Sequence, residues 1–159
     1  MHNSAAYSLE WEDVPVSSPE SARKGPIPIV IGVTGHLDLD LRAAGAEQAL
    51  ADAVRAILRE IQKNAPHSPM LILSGLAEGA DRFVSKLAMQ EFDARIVGVL
   101  PLPQDLYEDD FPDSVEEFRS LLGAGARVEM PFIGGSTRDD VKVHGNRRDA
   151  QYAEAGAYI

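Results

Sequence analysis

Short apolar runs alternate along the chain with longer stretches in which apolar residues recur every three or four positions. The runs predict four strands, at Ile29–Val33, Met70–Leu73, Ile96–Leu100 and Arg127–Met130. The helical spacing predicts helices that end near Asn64, follow Gly79, open around Asp110 and start near Arg147. The first run is unbroken and β-branched, which is typical of a strand buried on both faces.

This alternation predicts an α/β fold of the Rossmann-like, doubly wound type, with a mainly parallel sheet and helices on both faces. The last predicted helix leads into no further strand, so we expect the domain to be truncated at its C-terminus. Residues 1–27 are rich in Ser, Pro and Glu and are predicted to form a flexible leader, whereas residues 28–159 form the domain.

Composition narrows the classes of function. The 159 residues include 25 acidic and 15 basic side chains, a net charge of −10, which argues against a broad nucleic-acid or anionic-membrane surface. The absence of cysteine excludes disulfides, thiolate metal sites and cysteine nucleophiles. We find no signal peptide and no apolar run of membrane-spanning length, and we expect a cytoplasmic protein.

Two loops follow predicted strands at the edge where parallel sheets bind ligands. The first contains Gly32, Thr34, Gly35 and His36; its glycines permit close backbone approach, and the Thr34 hydroxyl is a candidate phosphate donor. A simple glycine-containing turn is the alternative. No Walker-type Gly-Lys-Ser or Gly-Lys-Thr occurs, which disfavours a P-loop NTPase.

The second loop leads from the second strand into a helix and carries more information. It offers a hydroxyl, two glycines and the amides of a helix start, with acidic and basic side chains at its mouth. The candidate ligand-binding residues are Ser74, Gly75, Leu76, Ala77, Gly79, Asp81 and Arg82. The alternative is a tight turn in which Glu78 and Asp81 only complement the helix dipole.

The segment LILSGLAEGADRFVSKLA, followed by RIVGVLPLP and Tyr107, resembles the SLOG superfamily, which includes the SMF/DprA and LOG proteins. The opening GVTGH and the final QYAEAGAYI extend the resemblance over most of residues 29–159. It implies a Rossmann-like nucleotide-binding pocket at the strand ends, a role in nucleotide sensing, and a homodimer. The positions carried over are Gly35, Ser74, Gly75, Gly79 and Asp81.

The resemblance leaves alternatives open. A LOG-like N-glycosidic hydrolase would use Asp81 or Glu78, but the LOG catalytic loop Pro-Gly-Gly-x-Gly-Thr is absent. Single-stranded DNA binding, as in the DprA branch, must overcome the net charge of −10. Leu37 stands where relatives often carry a basic residue after the histidine.

Other side chains are candidates for the same pocket. Tyr107 follows the third strand and is placed either to stack on a base or to pack under its loop. Arg147 and Arg148 suit bidentate phosphate contact. Glu108, Asp109 and Asp110 form an acidic run for which a magnesium site is the alternative to helix capping; we expect capping and assign no metal.

Overall fold

The computed structural model describes residues 26–37, 39 and 43–159. The predicted leader, residues 1–27, lies outside the described residues except for Pro26 and Ile27. Among the described residues, no helix combines the length and the apolar character needed to cross a membrane.

A parallel four-stranded sheet in the order β1-β2-β3-β4 forms the centre of the fold. Its strands are β1 (Ile29–Val33), β2 (Met70–Ser74), β3 (Arg95–Leu100) and β4 (Ala126–Glu129). The helices are α1 (Ala46–Asn64), α2 (Ala80–Phe92), α3 (Gln104–Glu108), α4 (Val115–Gly123) and α5 (Asn146–Tyr158), with a 3₁₀ turn at Pro112–Ser114. The α/β, Rossmann-like fold class is confirmed.

Helices cover both faces of the sheet. Gly32 of β1 pairs with Leu73 of β2, and Ser74 of β2 pairs with Gly98 of β3. Because successive residues of a strand point to opposite faces, the two pairs lie on opposite faces of the sheet. Gly98 faces Leu122 of α4, and α1, α2 and α4 pack beside one another on that side. Gly32 faces Ile159 at the end of α5, which crosses the opposite side.

The main core lies between the sheet and the three helices. Its buried members include Leu58, Ile72, Leu87, Ile96 and Phe118. Each comes from the apolar stripe of a helix or from the inward side of a strand, and burial of such side chains is the main stabilising contribution.

Two sequence-based expectations about elements are corrected. Strand β1 is an edge strand, with Val30 53% exposed, so it is not buried on both faces. The helix expected to open around Asp110 begins only after Phe111 (φ −144°), because Pro112 disfavours the helical conformation for the residue before it. It starts as the 3₁₀ turn, and Ser114 (φ −129°) separates that turn from α4.

Candidate functional site

The two motif loops lie side by side at the carboxyl ends of β1 and β2. The amide of Ala80 donates a hydrogen bond to the His36 carbonyl at 3.1 Å. Gly79 has φ +81° and packs directly on the carbonyls of His36 and Leu37, leaving no space for a side chain. The first loop therefore covers the start of α2, where the sequence predicted a phosphate cradle.

Asp81 occupies the centre of this junction and is only 7% exposed. Its carboxylate lies next to Gly75, and the Ser74 hydroxyl and the amides of Gly35, Gly75 and Ala77 act to lower its pKa. The sequence predicts that these groups face a ligand's phosphate; in the structure they surround the protein's own carboxylate. Burial is the largest influence on the Asp81 pKa and raises it, although all four donors act in the opposite direction.

This balance gives a testable pH dependence. Because the folded-state pKa of Asp81 exceeds the unfolded value, the folded protein binds the extra proton, and stability falls as pH rises from 3.8 through the folded pKa. The fall is about 1.4 kcal/mol for each pH unit between the two pKa values. Asp81→Asn lacks this loss, so its destabilisation relative to wild type should be smaller at pH 7 than at pH 3.5.

Urea unfolding of the wild-type protein and of Asp81→Asn between pH 3.5 and pH 7 measures the difference in their free energies of unfolding. The contributions of the other titrating groups are the same in both proteins and cancel in this difference. A destabilisation that grows with pH would show that the four donors outweigh burial.

Leu76 and Arg82 serve the packing of the second loop. Leu76 is fully buried with φ +55°, and its amide donates to Ser74 Oγ at 3.1 Å. Arg82 is 2% exposed; its Nε donates to the Leu76 carbonyl at 2.8 Å and its Nη1 to Ser114 Oγ at 2.6 Å. Its guanidinium also lies over the ring of Phe111 at 4.6 Å. Arg82 thus ties α2 to the start of α4 and is not placed at the mouth of a pocket.

A cavity of about 330 Å³ opens at the carboxyl ends of β2 and β3, next to these loops. It is enclosed by the second loop, by α3 with the turn that follows it, and by the start of α5. The lining residues are Leu37, Ala77, Glu78, Tyr107, Asp110, Phe111, His144, Arg148, Asp149 and Tyr152. Aromatic rings and carboxylates therefore dominate its wall.

The aromatic part of the wall is rigid. Tyr107 is buried, donates its hydroxyl hydrogen to the Gly75 carbonyl at 2.9 Å, and packs edge-to-face on Phe111 with ring centroids 5.0 Å apart. Burial raises the Tyr107 pKa well above its usual range. Tyr107 both packs under its loop and presents its ring to the cavity, so the two alternatives from the sequence are not exclusive.

A second buried arginine closes the cavity from the side of α5. Arg148 is 3% exposed; it donates to Asp110 Oδ1 at 2.6 Å and to the carbonyls of Val141 (2.7 Å) and Leu106 (3.2 Å). Tyr152, one helical turn later, donates its hydroxyl hydrogen to Asp110, and burial is the main reason that its pKa is raised. The sequence indicates Arg148 as a candidate phosphate ligand; in the fold its guanidinium joins α5 to Leu106 of α3 and to Asp110.

The remaining candidates lie outside the cavity. Thr34, Gly35 and His36 are exposed on the neighbouring loop, and Gly32 is an exposed residue of β1 that contacts Ile159. Arg147 points outward, 3.3 Å from Ser136 Oγ and 3.7 Å from Asp140.

The acidic run after α3 is divided between separate partners. Glu108 pairs with Arg119 at 2.7 Å, which lowers its pKa, and Asp110 pairs with Arg148. Within the described residues, no group of three or more His, Asp or Glu side chains is placed to hold a metal ion. Glu108 and Asp110 of this run thus form ion pairs and do not cap the helix that follows, although the sequence predicts capping.

Several wall residues were not among the candidates from the sequence. Of these, His144, Asp149 and Tyr152 lie just before and within α5, which only the tertiary fold brings against the second loop and α3. The spacing of Arg148 and Tyr152 by four residues was a usable signal, since it places both on one face of a helix.

A larger groove of about 650 Å³ runs between α1 and α2. It is lined by Gly45 and by residues of α1 and α2, with no residue of the two motif loops, and the Arg55–Glu91 ion pair (2.7 Å) crosses it. We therefore regard the smaller cavity as the candidate site.

No protein-family model, curated protein or solved structure matches the chain. The fold and site define an α/β protein of Rossmann-like architecture with an aromatic, acidic cavity at its strand ends. Membership of the SLOG superfamily stays a prediction from the motifs.

Proposed function

We propose that the protein binds a nucleotide or a nucleotide-derived ligand whose ring and sugar occupy the cavity. The observation that carries the proposal is the position of an aromatic-walled cavity of about 330 Å³ at the carboxyl ends of parallel strands. Small-molecule sites in open α/β sheets lie at this edge, and cavities of this volume hold ligands of nucleoside size.

The second loop and Tyr107 support the proposal. Ala77, the last residue of the Ser-Gly-Leu-Ala block, the adjacent Glu78 and Tyr107 form one side of the wall, whereas the five positions carried over from the SLOG resemblance do not line it. The rings of Tyr107 and Phe111 are held by their mutual contact, so a bound base would meet a preorganised surface. A sensing role fits a site that binds a ligand on a rigid scaffold.

N-glycosidic hydrolysis is the second candidate function, and the position of the Glu78 carboxylate favours it. Glu78 is exposed and lies on the cavity wall, whereas Asp81 is enclosed by the two loops. Release of free base from a nucleoside monophosphate, abolished by Glu78→Gln, would favour hydrolysis over sensing.

A variant that fills the cavity tests the proposal of binding. We expect Ala77→Leu to weaken the binding of nucleosides and nucleotides at least tenfold, because the added side chain occupies the space of the ligand. Ala150→Leu is the matched control, since Ala150 is exposed on α5 away from the wall.

Thermal unfolding with a panel of nucleosides, nucleotides and NAD-related compounds, followed by calorimetry, measures the effect. A ligand at 100 times its dissociation constant should stabilise the protein by about 2.7 kcal/mol. An unchanged melting temperature with every compound at millimolar concentration would refute the proposal.

A further inference from the structure

We propose that the cavity selects its ligand by charge: it accepts the nucleoside part of the ligand and disfavours phosphoryl groups. This inference rests on the proposed function and names its ligand class. Among the described residues that line the cavity, the carboxylates of Glu78, Asp110 and Asp149 face it against one guanidinium, that of Arg148. The wall is therefore net acidic, which is the opposite of a phosphate site.

The two terminal nitrogens of Arg148 are engaged by the protein. Its Nη2 donates to Asp110 and Leu106, its Nη1 donates to Val141, and its Nε is buried without a partner. A phosphate would have to compete with an ion pair 2.6 Å long and with two carbonyl acceptors. Arg148 thus neutralises Asp110, and its Nε–H is a buried donor that stays unpartnered among the described residues.

The other two carboxylates have no cationic partner among the described residues. Glu78 accepts a hydrogen bond from Ser114 Oγ, which is fixed in turn by Arg82 Nη1 at 2.6 Å. This chain of contacts holds Glu78 on the wall without neutralising its charge. Such carboxylates are acceptors for sugar hydroxyls and for the amino groups of bases.

The helix starts near the cavity do not restore an anion site. Asp149 lies in the first turn of α5 and complements the dipole of that helix itself. The amides of Gly75 and Ala77 lie beside the carboxylate of Asp81 and act to lower its pKa, and the amide of Ala80 donates to the His36 carbonyl. The charges that would attract phosphate are already compensated within the protein.

Calorimetry with the four ribonucleosides and their 5′-mono- and triphosphates tests the inference, at pH 8, where imidazoles are ordinarily neutral, and at low salt. We expect the nucleoside to bind about fivefold more tightly than its monophosphate, with a larger gap for the triphosphate. The double variant Glu78→Gln, Asp149→Asn lacks two of the wall carboxylates. It should reduce the ratio of the triphosphate and nucleoside dissociation constants by about fivefold for each carboxylate removed.

Glu154→Gln is the matched control, because it removes one acidic charge from the exposed side of α5, away from the cavity. It should leave the gap between nucleoside and triphosphate unchanged. Tighter binding of the triphosphate by the wild-type protein, or an unchanged gap in the double variant, would overturn charge selection while leaving ligand binding intact. Failure of every compound to bind would overturn the proposed function and this inference together.

Discussion

Arg148→Met is expected to lower the free energy of unfolding by about 3 kcal/mol. The substitution removes a guanidinium that is 3% exposed and leaves the carboxylate of Asp110 without its counter-ion. It also leaves the carbonyls of Val141 and Leu106 without this donor. Loss of one partner from a buried ion pair costs more than the pair contributes, because the remaining charge stays desolvated.

The neighbouring residue provides the control for Arg148→Met. Arg147→Met removes a side chain that is 54% exposed and makes one hydrogen bond at 3.3 Å, and it should cost at most about 0.5 kcal/mol. Urea unfolding of both variants gives the comparison. If Arg148→Met does not fold, adding Asp110→Asn should restore folding, because it removes the uncompensated charge; equal stabilities of the two single variants would contradict this account.

Gly79→Ala is expected to destabilise the protein by about 3 kcal/mol and to weaken ligand binding at the adjacent cavity. Gly79 has φ +81° and ψ −128°, a backbone region that residues with a side chain rarely adopt. A Cβ at this position would also overlap the carbonyl oxygens of His36 and Leu37. The two loops would have to separate, which would break the hydrogen bond from the Ala80 amide to His36.

Gly45→Ala is the comparison. Gly45 has φ +82° and ψ −1°, the left-handed helical region, and a Cβ there meets no atom of the described residues within 4 Å, so we expect a cost of about 1 kcal/mol from backbone strain. Chemical denaturation of both variants measures the difference. Similar costs at the two positions would show that the contact between the loops contributes little.

The acidic side chains on the helix surfaces behave as ordinary ion pairs. Arg55 lowers the pKa of Glu91, and Arg119 lowers that of Glu108. Each pair contributes stability at neutral pH that is lost as the pH falls through the lowered folded-state pKa of its carboxyl group. This pH dependence is opposite in sign to that of Asp81, whose pKa is raised. The exposed pairs contribute little individually, so the enclosed groups around Asp81 and Arg148 decide the stability of the site.

Local patterns were sufficient for most elements of the fold. The unbroken run Ile29–Val33 is a strand with those bounds, and α2 begins directly after Gly79 as its glycine and apolar spacing indicate. The spacing could not show that β1 lies at the edge, because strand order depends on contacts between distant segments. The helix does not start at Asp110 because a proline disfavours the helical conformation of the residue before it, here Phe111. The apolar spacing does not contain this local steric restriction.

The sequence by itself determined the α/β class, the positions of the two glycine-containing loops at strand ends and the acidic character of the protein. Only the tertiary structure decided what the polar residues near those loops do. Ser74, Gly75 and Ala77 face Asp81, and Arg148 faces Asp110, because an enclosed charge takes whichever partner the packing brings near. Helix and strand periods depend on neighbours in the chain, whereas the pairing of buried charges depends on segments many residues apart, and no local pattern contains that information.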